Sequence, residues 1–275
     1  MPRERKANAH SGPLPTYALA WLLLHGCAPE PLTPMHIEGV SFAPHTLACE
    51  EDESRYFDDF TESSGVRHVH AFEAGLSFHE RSTGGGVVLE DLDGDGDLDL
   101  AITSASGGNA LFTNRGDGTF ELSPSSETIA FPEDKTMGIS AADFDNDGDT
   151  DLLLLNRGPD RLLENTGKGA FVDITSDSGI QSPGASASGA WGDVDADGDL
   201  DLFIAVLAKS YSVSPDAMVY DSSKLFLNLG GGRFEDISHD VGSEGLIAGS
   251  SFLATMVDLD KDEDVDLFVT QEFGS

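Results

Sequence analysis

The chain has 275 residues, 39% hydrophobic and 8% aromatic, with 50 acidic against 15 basic side chains and a formal net charge of −35. That length suits one large all-β domain or two smaller ones, with enough apolar content for a packed core. So acidic a surface excludes binding nucleic acid through phosphate contacts, which draw on Lys and Arg, and two cysteines, Cys27 and Cys49, are too few for a disulfide framework.

Residues 1–27 read as an export signal. Arg3, Arg5 and Lys6 form a basic start, residues 17–24 are a short apolar run, and Gly26-Cys27 follows. That is the order of a secretory signal, and the run is too short to span a bilayer. Leu24-His25-Gly26-Cys27 resembles a bacterial lipobox, in which the cysteine is acylated and becomes the mature N-terminus. The expectation is a secreted, outer-surface or periplasmic protein, lipid-anchored through Cys27 and touching the membrane only there. Residues 28–55 contain Pro and Glu without periodicity and read as a disordered tether. Cys49 has no Cys-His arrangement around it and reads as a bystander thiol.

From residue 56 to 275 the chain repeats itself, the pattern of an array of similar units. Acidic loops begin at Asp91, Asp143, Asp193 and Asp258, spaced by 52, 50 and 65 residues. Small residues precede each loop, as in Gly84-Gly85-Gly86 and Gly189-Ala190-Trp191-Gly192, and a short apolar run such as Leu152-Leu153-Leu154-Leu155 follows. In the first three units an Asn-led turn comes next, at Asn114, Asn165 and Asn228, and then a Gly-rich turn into a strand at Phe120, Phe171 or Phe234. Each unit predicts about four short strands joined by tight turns, the composition of a β-propeller blade. The longer third spacing places an insertion around 209–220.

The loops carry the chemistry. Asp91, Asp93, Asp95, Asp97 and Asp99 alternate through the first, and Asp143, Asp145, Asp147, Asp149 and Asp151 through the second. Asp193, Asp195, Asp197, Asp199 and Asp201 make the third, and Asp258, Asp260, Asp262, Asp264 and Asp266 the fourth. Twenty of the 50 acids therefore crowd into four windows, where bound cations would relieve their repulsion. Hard divalent cations take oxygen ligands, and Ca²⁺ takes 6–8 of them at roughly 2.3–2.6 Å. A tight loop can aim the carboxylates at positions 1, 3, 5 and 9 at one point, with the position-7 carbonyl adding an oxygen. Gly96, Gly148 and Gly198 at position 6 permit the turn. The loops hold no His or Cys, which argues against zinc and copper, and Mg²⁺ prefers to keep its waters. Ca²⁺ is the expected cofactor.

An EF-hand shares the opening pattern but needs a bidentate Glu at position 12 between helices. Position 12 here is Ile102, Leu154, Ile204 or Val269, inside apparent strands, so the ninth Asp must close each site. The fourth loop departs at Lys261 and at Glu263, which replaces the position-6 Gly, and is expected to bind most weakly.

These residues resemble the FG-GAP/VCBS repeat family and, more narrowly, the cartilage acidic protein/ASPIC-UnbV group. The carriers are Phe57-Asp58-Asp59-Phe60-Thr61-Glu62-Ser63-Ser64-Gly65, His68-Val69-His70, Gly84-Gly85-Gly86 leading into the first acidic loop, residues 171–179 and Trp191-Gly192-Asp193. The resemblance covers about residues 57–270. It implies an extracellular, Ca²⁺-stabilised propeller, often of seven blades. Four loops are present, no ASPIC/UnbV-like segment follows, and residues 57–65 resemble a blade-ending segment, so an incomplete ring or a fragment is expected.

Two functions compete. One is a surface-tethered scaffold that binds a protein or glycan of unknown identity, with Ca²⁺ structural. The other is a catalytic propeller, lyase-like, acting on polysaccharide. The second needs a base beside Arg, and its candidates, His68, His70 and His79 with Arg67 and Arg81, fall in one segment. His68 and His70 are expected on one face of a strand, in a packing role. No G-x-S-x-G, H-E-x-x-H or P-loop pattern occurs, so no catalytic residue is assigned.

Overall fold

The structure, a computed structural model, describes residues 59–70, 84–182, 184–208, 222–240 and 250–273. The export signal, Cys27, the tether with Cys49, His79, Arg81 and the 209–220 insertion lie outside them. The described residues form an all-β structure of repeated antiparallel sheets.

The first sheet runs β1 (Val87–Glu90), β2 (Asp99–Ile102), β3 (Ala110–Asn114) and β4 (Phe120–Leu122). The second runs β5 (Thr136–Ala142), β6 (Asp151–Asn156), β7 (Arg161–Asn165) and β8 (Phe171–Asp173). The third runs β9 (Ala185–Gly192), β10 (Asp201–Ala208), β11 (Lys224–Asn228) and β12 (Phe234–Asp236). Strands neighbour one another in sequence order, as in propeller blades. A fourth sheet shows β13 (Ser250–Val257) paired with β14 (Asp266–Phe273). A 3₁₀ turn (Ser126–Thr128) follows β4, and a one-turn helix, α1 (Thr175–Ser178), follows β8.

Every acidic loop is the hairpin connection between the first two strands of its sheet. The register is the same each time: Glu90 pairs with Asp99, Ala142 with Asp151, Gly192 with Asp201 and Val257 with Asp266. The ninth Asp is thus the first residue of the second strand.

The cores lie between sheets. Side chains alternate faces along a strand, so the Leu run of β6 serves both neighbours. Leu152 and Leu154 pack with Val88, Leu92, Ala101 and Leu111 of the first sheet. Leu153 and Leu155 pack with Leu202, Ile204, Val206 and Phe226 of the third. Phe203 and Ala205, on the other face of β10, meet Ala254, Met256 and Val269 of the fourth. An unbroken apolar run is what a strand buried on both faces requires, and each fully buried Leu or Phe contributes about 1.5–3 kcal/mol.

The small residues of the first strands have a steric role. A Cβ on Gly86 would lie 2.9 Å from the Ile139 nitrogen, and one on Gly189 would lie 2.9 Å from Leu153 Cδ2. Successive sheets can approach this closely only without side chains there. At the two ends of the stack the pattern meets no partner sheet among the described residues. Val87 is 64% exposed, and Phe268 is 53% exposed where its counterpart Phe203 is fully buried.

Residues 59–65 dock on the first sheet as a blade-ending segment does. The Phe120 N–H donates to the Ser64 carbonyl at 2.7 Å. Gly65 sits at φ 82° against the Phe120 carbonyl, as Gly179, after α1, sits at φ 83° against the Phe234 carbonyl. A Cβ would come within 2.2 and 2.4 Å of those oxygens, so both positions require glycine. The expected strand through His68 and His70 is not formed: residues 65–70 belong to no sheet. Their alternation survives in burial alone, with Val66, His68 and His70 half-buried and Arg67 and Val69 exposed.

Candidate metal centres in the acidic loops

The first Asp of each loop organises the backbone. Asp91 Oδ1 accepts the amides of Gly94 and Asp95 at 2.9 and 3.1 Å, and its Oδ2 accepts that of Gly96 at 3.0 Å. Asp143 and Asp193 accept from Gly148 and Gly198 in the same way, at 3.1 and 3.0 Å. The third and fifth carboxylates each cap the amide two residues on, as in Asp95 N–H to Asp93 and Asp97 N–H to Asp95. Such short-range Asp-to-backbone bonds hold the chain in a curl that faces its carboxylates inward.

The curl needs left-handed backbone at two positions. Position 6 is Gly96, Gly148 or Gly198, with φ of 96–98°. Position 4 is also left-handed, and there Asn146, Ala196 and Lys261 stand at φ 61–68°. The fourth loop keeps this shape with Glu263 at φ 75°, a conformation costing a side-chain-bearing residue roughly 1–2 kcal/mol.

Carboxylate oxygens gather in trios, none of which holds the first, third, fifth and ninth positions together. Asp91, Asp93 and Asp99 each place an oxygen within 4.8 Å of the others, as do Asp143, Asp145 and Asp151. In the third and fourth loops the gathered trios are Asp193, Asp195 and Asp197, and Asp258, Asp260 and Asp262. Oxygens bound to one Ca²⁺ at roughly 2.3–2.6 Å lie no farther apart than about twice that distance. An all-carboxylate donor set of this spread fits a hard divalent cation. The seventh carboxylates, Asp97, Asp149, Asp199 and Asp264, belong to none of these trios. Those of Asp97 and Asp149 turn instead toward Gly116 and Gly167 in the turn between the third and fourth strands. Asp199 Oδ1 accepts from Asn146 Nδ2 of the preceding loop at 2.8 Å.

The ninth Asp ties the loop to the sheet. Asp151 Oδ2 accepts the Phe144 amide at 3.1 Å and its Oδ1 the Asn165 amide at 2.7 Å. Asp99 does the same with Leu92 and Asn114, and Asp201 with Val194 and Asn228. All three are 1% exposed or less. Burial raises their carboxyl pKa values, opposed by the donated amides, and that of Asp151 reaches about 7. Burial, then repulsion from the fifth-position neighbour, also raises Asp93 and Asp145. Asp266, half-buried, holds only the Leu259 amide among the described residues, at 2.9 Å.

The His segment offers less. Arg67 donates to the carbonyls of Thr61, Glu62 and Val66, so its guanidinium fastens its own segment. Burial, then the neighbouring His70, lowers the His68 pKa, which disfavours the protonated form. No residue of this segment is among the acidic trios.

Comparison with known proteins agrees with the repeat. The family model of the FG-GAP-like repeat matches residues 91–154 and again 143–204. Human cartilage acidic protein 1 is 34% identical over 143 residues, covering 50% of this chain and 21% of that protein. The mouse protein is 32% identical over 142 residues, covering 50% and 22%. The chain thus spans about a fifth of the length of these relatives. Among solved structures, a chain of the Photorhabdus luminescens Tc holotoxin pore is 21% identical, covering 73% of this chain and 9% of its own, with a TM-score of 0.34. Residues 91–204, which hold the first three acidic loops, thus carry FG-GAP-like repeats, and about half of this chain is homologous to cartilage acidic protein.

Proposed function

We propose that this is an extracytoplasmic Ca²⁺-binding repeat module, its sheets the blades of a β-propeller, serving as a tethered scaffold for a protein or glycan ligand. The observation that carries the reading is the repeated trio of carboxylate oxygens within 4.8 Å at the head of each sheet. Relatedness to a repeat family, and the want of any catalytic motif in the sequence, support a binding role over a catalytic one. The exposed apolar faces of the first and fourth sheets support further blades on either side. Acylation at Cys27 would tether the module, and mass spectrometry of the mature N-terminus, finding it unmodified or elsewhere, would remove that part.

Bound Ca²⁺ would supply positive charge at each trio. The first Asp would shape the loop, the third and fifth would close on the ion, and the ninth would join ion to sheet. Calorimetric titration of chelator-treated protein should find three or four sites with a preference over Mg²⁺. The fourth loop should be weakest, since Glu263 is held left-handed and Lys261 adds a like charge. Glu263→Gly should tighten that site several-fold. Absence of heat, or equal affinity for Mg²⁺, would sink the reading; an unchanged fourth site would sink only the ranking.

A further inference from the structure

The first three acidic loops are joined to one another by a buried relay. In the first loop, the Leu92 N–H donates to Asp99, and the Leu92 carbonyl accepts from Asn165 Nδ2 of the second sheet at 2.8 Å. The Asn165 backbone N–H in turn donates to Asp151, the ninth residue of the second loop. The pattern then repeats. Asp151 holds the Phe144 N–H, the Phe144 carbonyl accepts from Asn228 Nδ2 of the third sheet at 2.8 Å, and the Asn228 N–H donates to Asp201 of the third loop. Both Asn residues are 2% exposed. Each Asn side chain also accepts from its own Gly-rich turn, at Gly167 and Gly230.

We propose that cation binding at these loops is positively cooperative, with Asn165 coupling the first loop to the second and Asn228 coupling the second to the third. The inference rests on the Ca²⁺ reading above. An ion drawing Asp151 inward fixes the carboxylate that holds both Phe144 and Asn165. Those two residues position the carbonyl that anchors Asn228 and the side chain that anchors Leu92. Once one loop is ordered, its neighbours need less ordering to bind, and affinity rises there without any shared ligand. Two directly bound cations would repel, so positive coupling across this distance points to the relay and not to charge. The side-chain bond from Asn146 to Asp199 adds a second, exposed link between the second and third loops only.

The test is a Ca²⁺ titration followed by hydrogen exchange with mass spectrometry, which gives a separate protection midpoint for residues 91–99, 143–151 and 193–201. Asp145→Asn should cripple the second loop and move the midpoints of the first and third to at least fivefold higher Ca²⁺. In an Asn146→Ala/Asn228→Ala background, which removes both links, the same change should leave the third loop within twofold and still move the first. In the Asn165→Ala background it should do the reverse. Should one alanine variant fail to fold by circular dichroism, the other still decides, since each predicts loss of one coupling and survival of the other. Midpoints unmoved by Asp145→Asn, or a third-loop shift that persists without both Asn146 and Asn228, would overturn the proposal while leaving Ca²⁺ binding intact. Loops that gain no protection from Ca²⁺ in any variant would overturn both.

Discussion

Chelation of divalent cations should lower the melting temperature by roughly 15–30 °C. Five carboxylates share each loop, and like charges about 4 Å apart repel by about 1 kcal/mol per pair even in bulk water. The loops cannot relax at no cost, because the ninth Asp is buried in the sheet and two backbone amides depend on it. A metal-free loop must take up protons or open, and opening frees the hairpin that registers the first two strands. Ca²⁺ bound only to the folded chain at a hundredfold excess over Kd stabilises by about 2.7 kcal/mol per site. Three sites give roughly 8 kcal/mol, and a domain of this size shifts by about 2–4 °C for each kcal/mol. EDTA should also open residues 91–99, 143–151 and 193–201 to protease. Excess Ca²⁺ should restore both measures, and NaCl only in part, by screening. Superimposable melts in EDTA and in Ca²⁺ would show the loops to be mere surface acids.

The second large effect is expected from Asp160→Asn at alkaline pH. Asp160 lies in the turn between β6 and β7, 2% exposed. Its carboxylate accepts from the Asn156 amide and from the Ser186 hydroxyl, each at 2.6 Å, and burial pushes its pKa up to about 7. A carboxyl raised on folding stabilises the protein fully below its unfolded value near 3.8. That contribution fades as pH rises through about 7, where the folded chain must ionise it. The Asn variant stays neutral throughout and can keep both contacts. The first sheet already uses this solution: Asn109, in the corresponding turn, accepts the Ser104 amide and donates to the Ile129 carbonyl. Melting curves in saturating Ca²⁺ should give variant and wild type similar stability at pH 4. By pH 8 the variant should lead by on the order of 4 kcal/mol, about three pKa units' worth. A difference that does not change with pH would show that Asp160 ionises normally in the fold.

How much of this was legible beforehand varies with the range of the interaction. The four loops, their position-6 glycines and the strands behind them follow from local rules, because the acids alternate and the apolar runs are bounded by turns. Left-handed position 4 was hidden because Ala196 carries no mark of that conformation, and only its neighbours' hydrogen bonds impose it. The spacing marks the ninth Asp as a candidate ligand, but its hold on two amides depends on a strand that returns 14 or more residues later. Asn165 and Asn228 read as turn formers, and their reach into the preceding sheet is a contact 73 and 84 residues distant. Asp160, in an Arg-Gly-Pro-Asp turn, has the composition of an exposed corner, and burial comes from Ser182 and Ser186 folding over it. For His68 and His70 the alternation was real, but a strand needs a neighbouring strand to pair with, and residues 65–70 join no sheet among the described residues.

Because the cores lie between the sheets, the natural unit of exchange is not the single sheet. Leu92 and Phe144 belong by sequence to the first and second loops, yet each packs in a core shared with the sheet that follows. Shuffling whole sheets would therefore cut through two interfaces at once and leave mismatched halves on both sides. A cassette running from just before one acidic loop to just before the next would carry Phe144 but leave Leu202, Phe226 and Phe234 with the repeat that follows. A repeat exchanged between relatives therefore has to match its neighbours on both sides, and adjacent repeats are expected to change together.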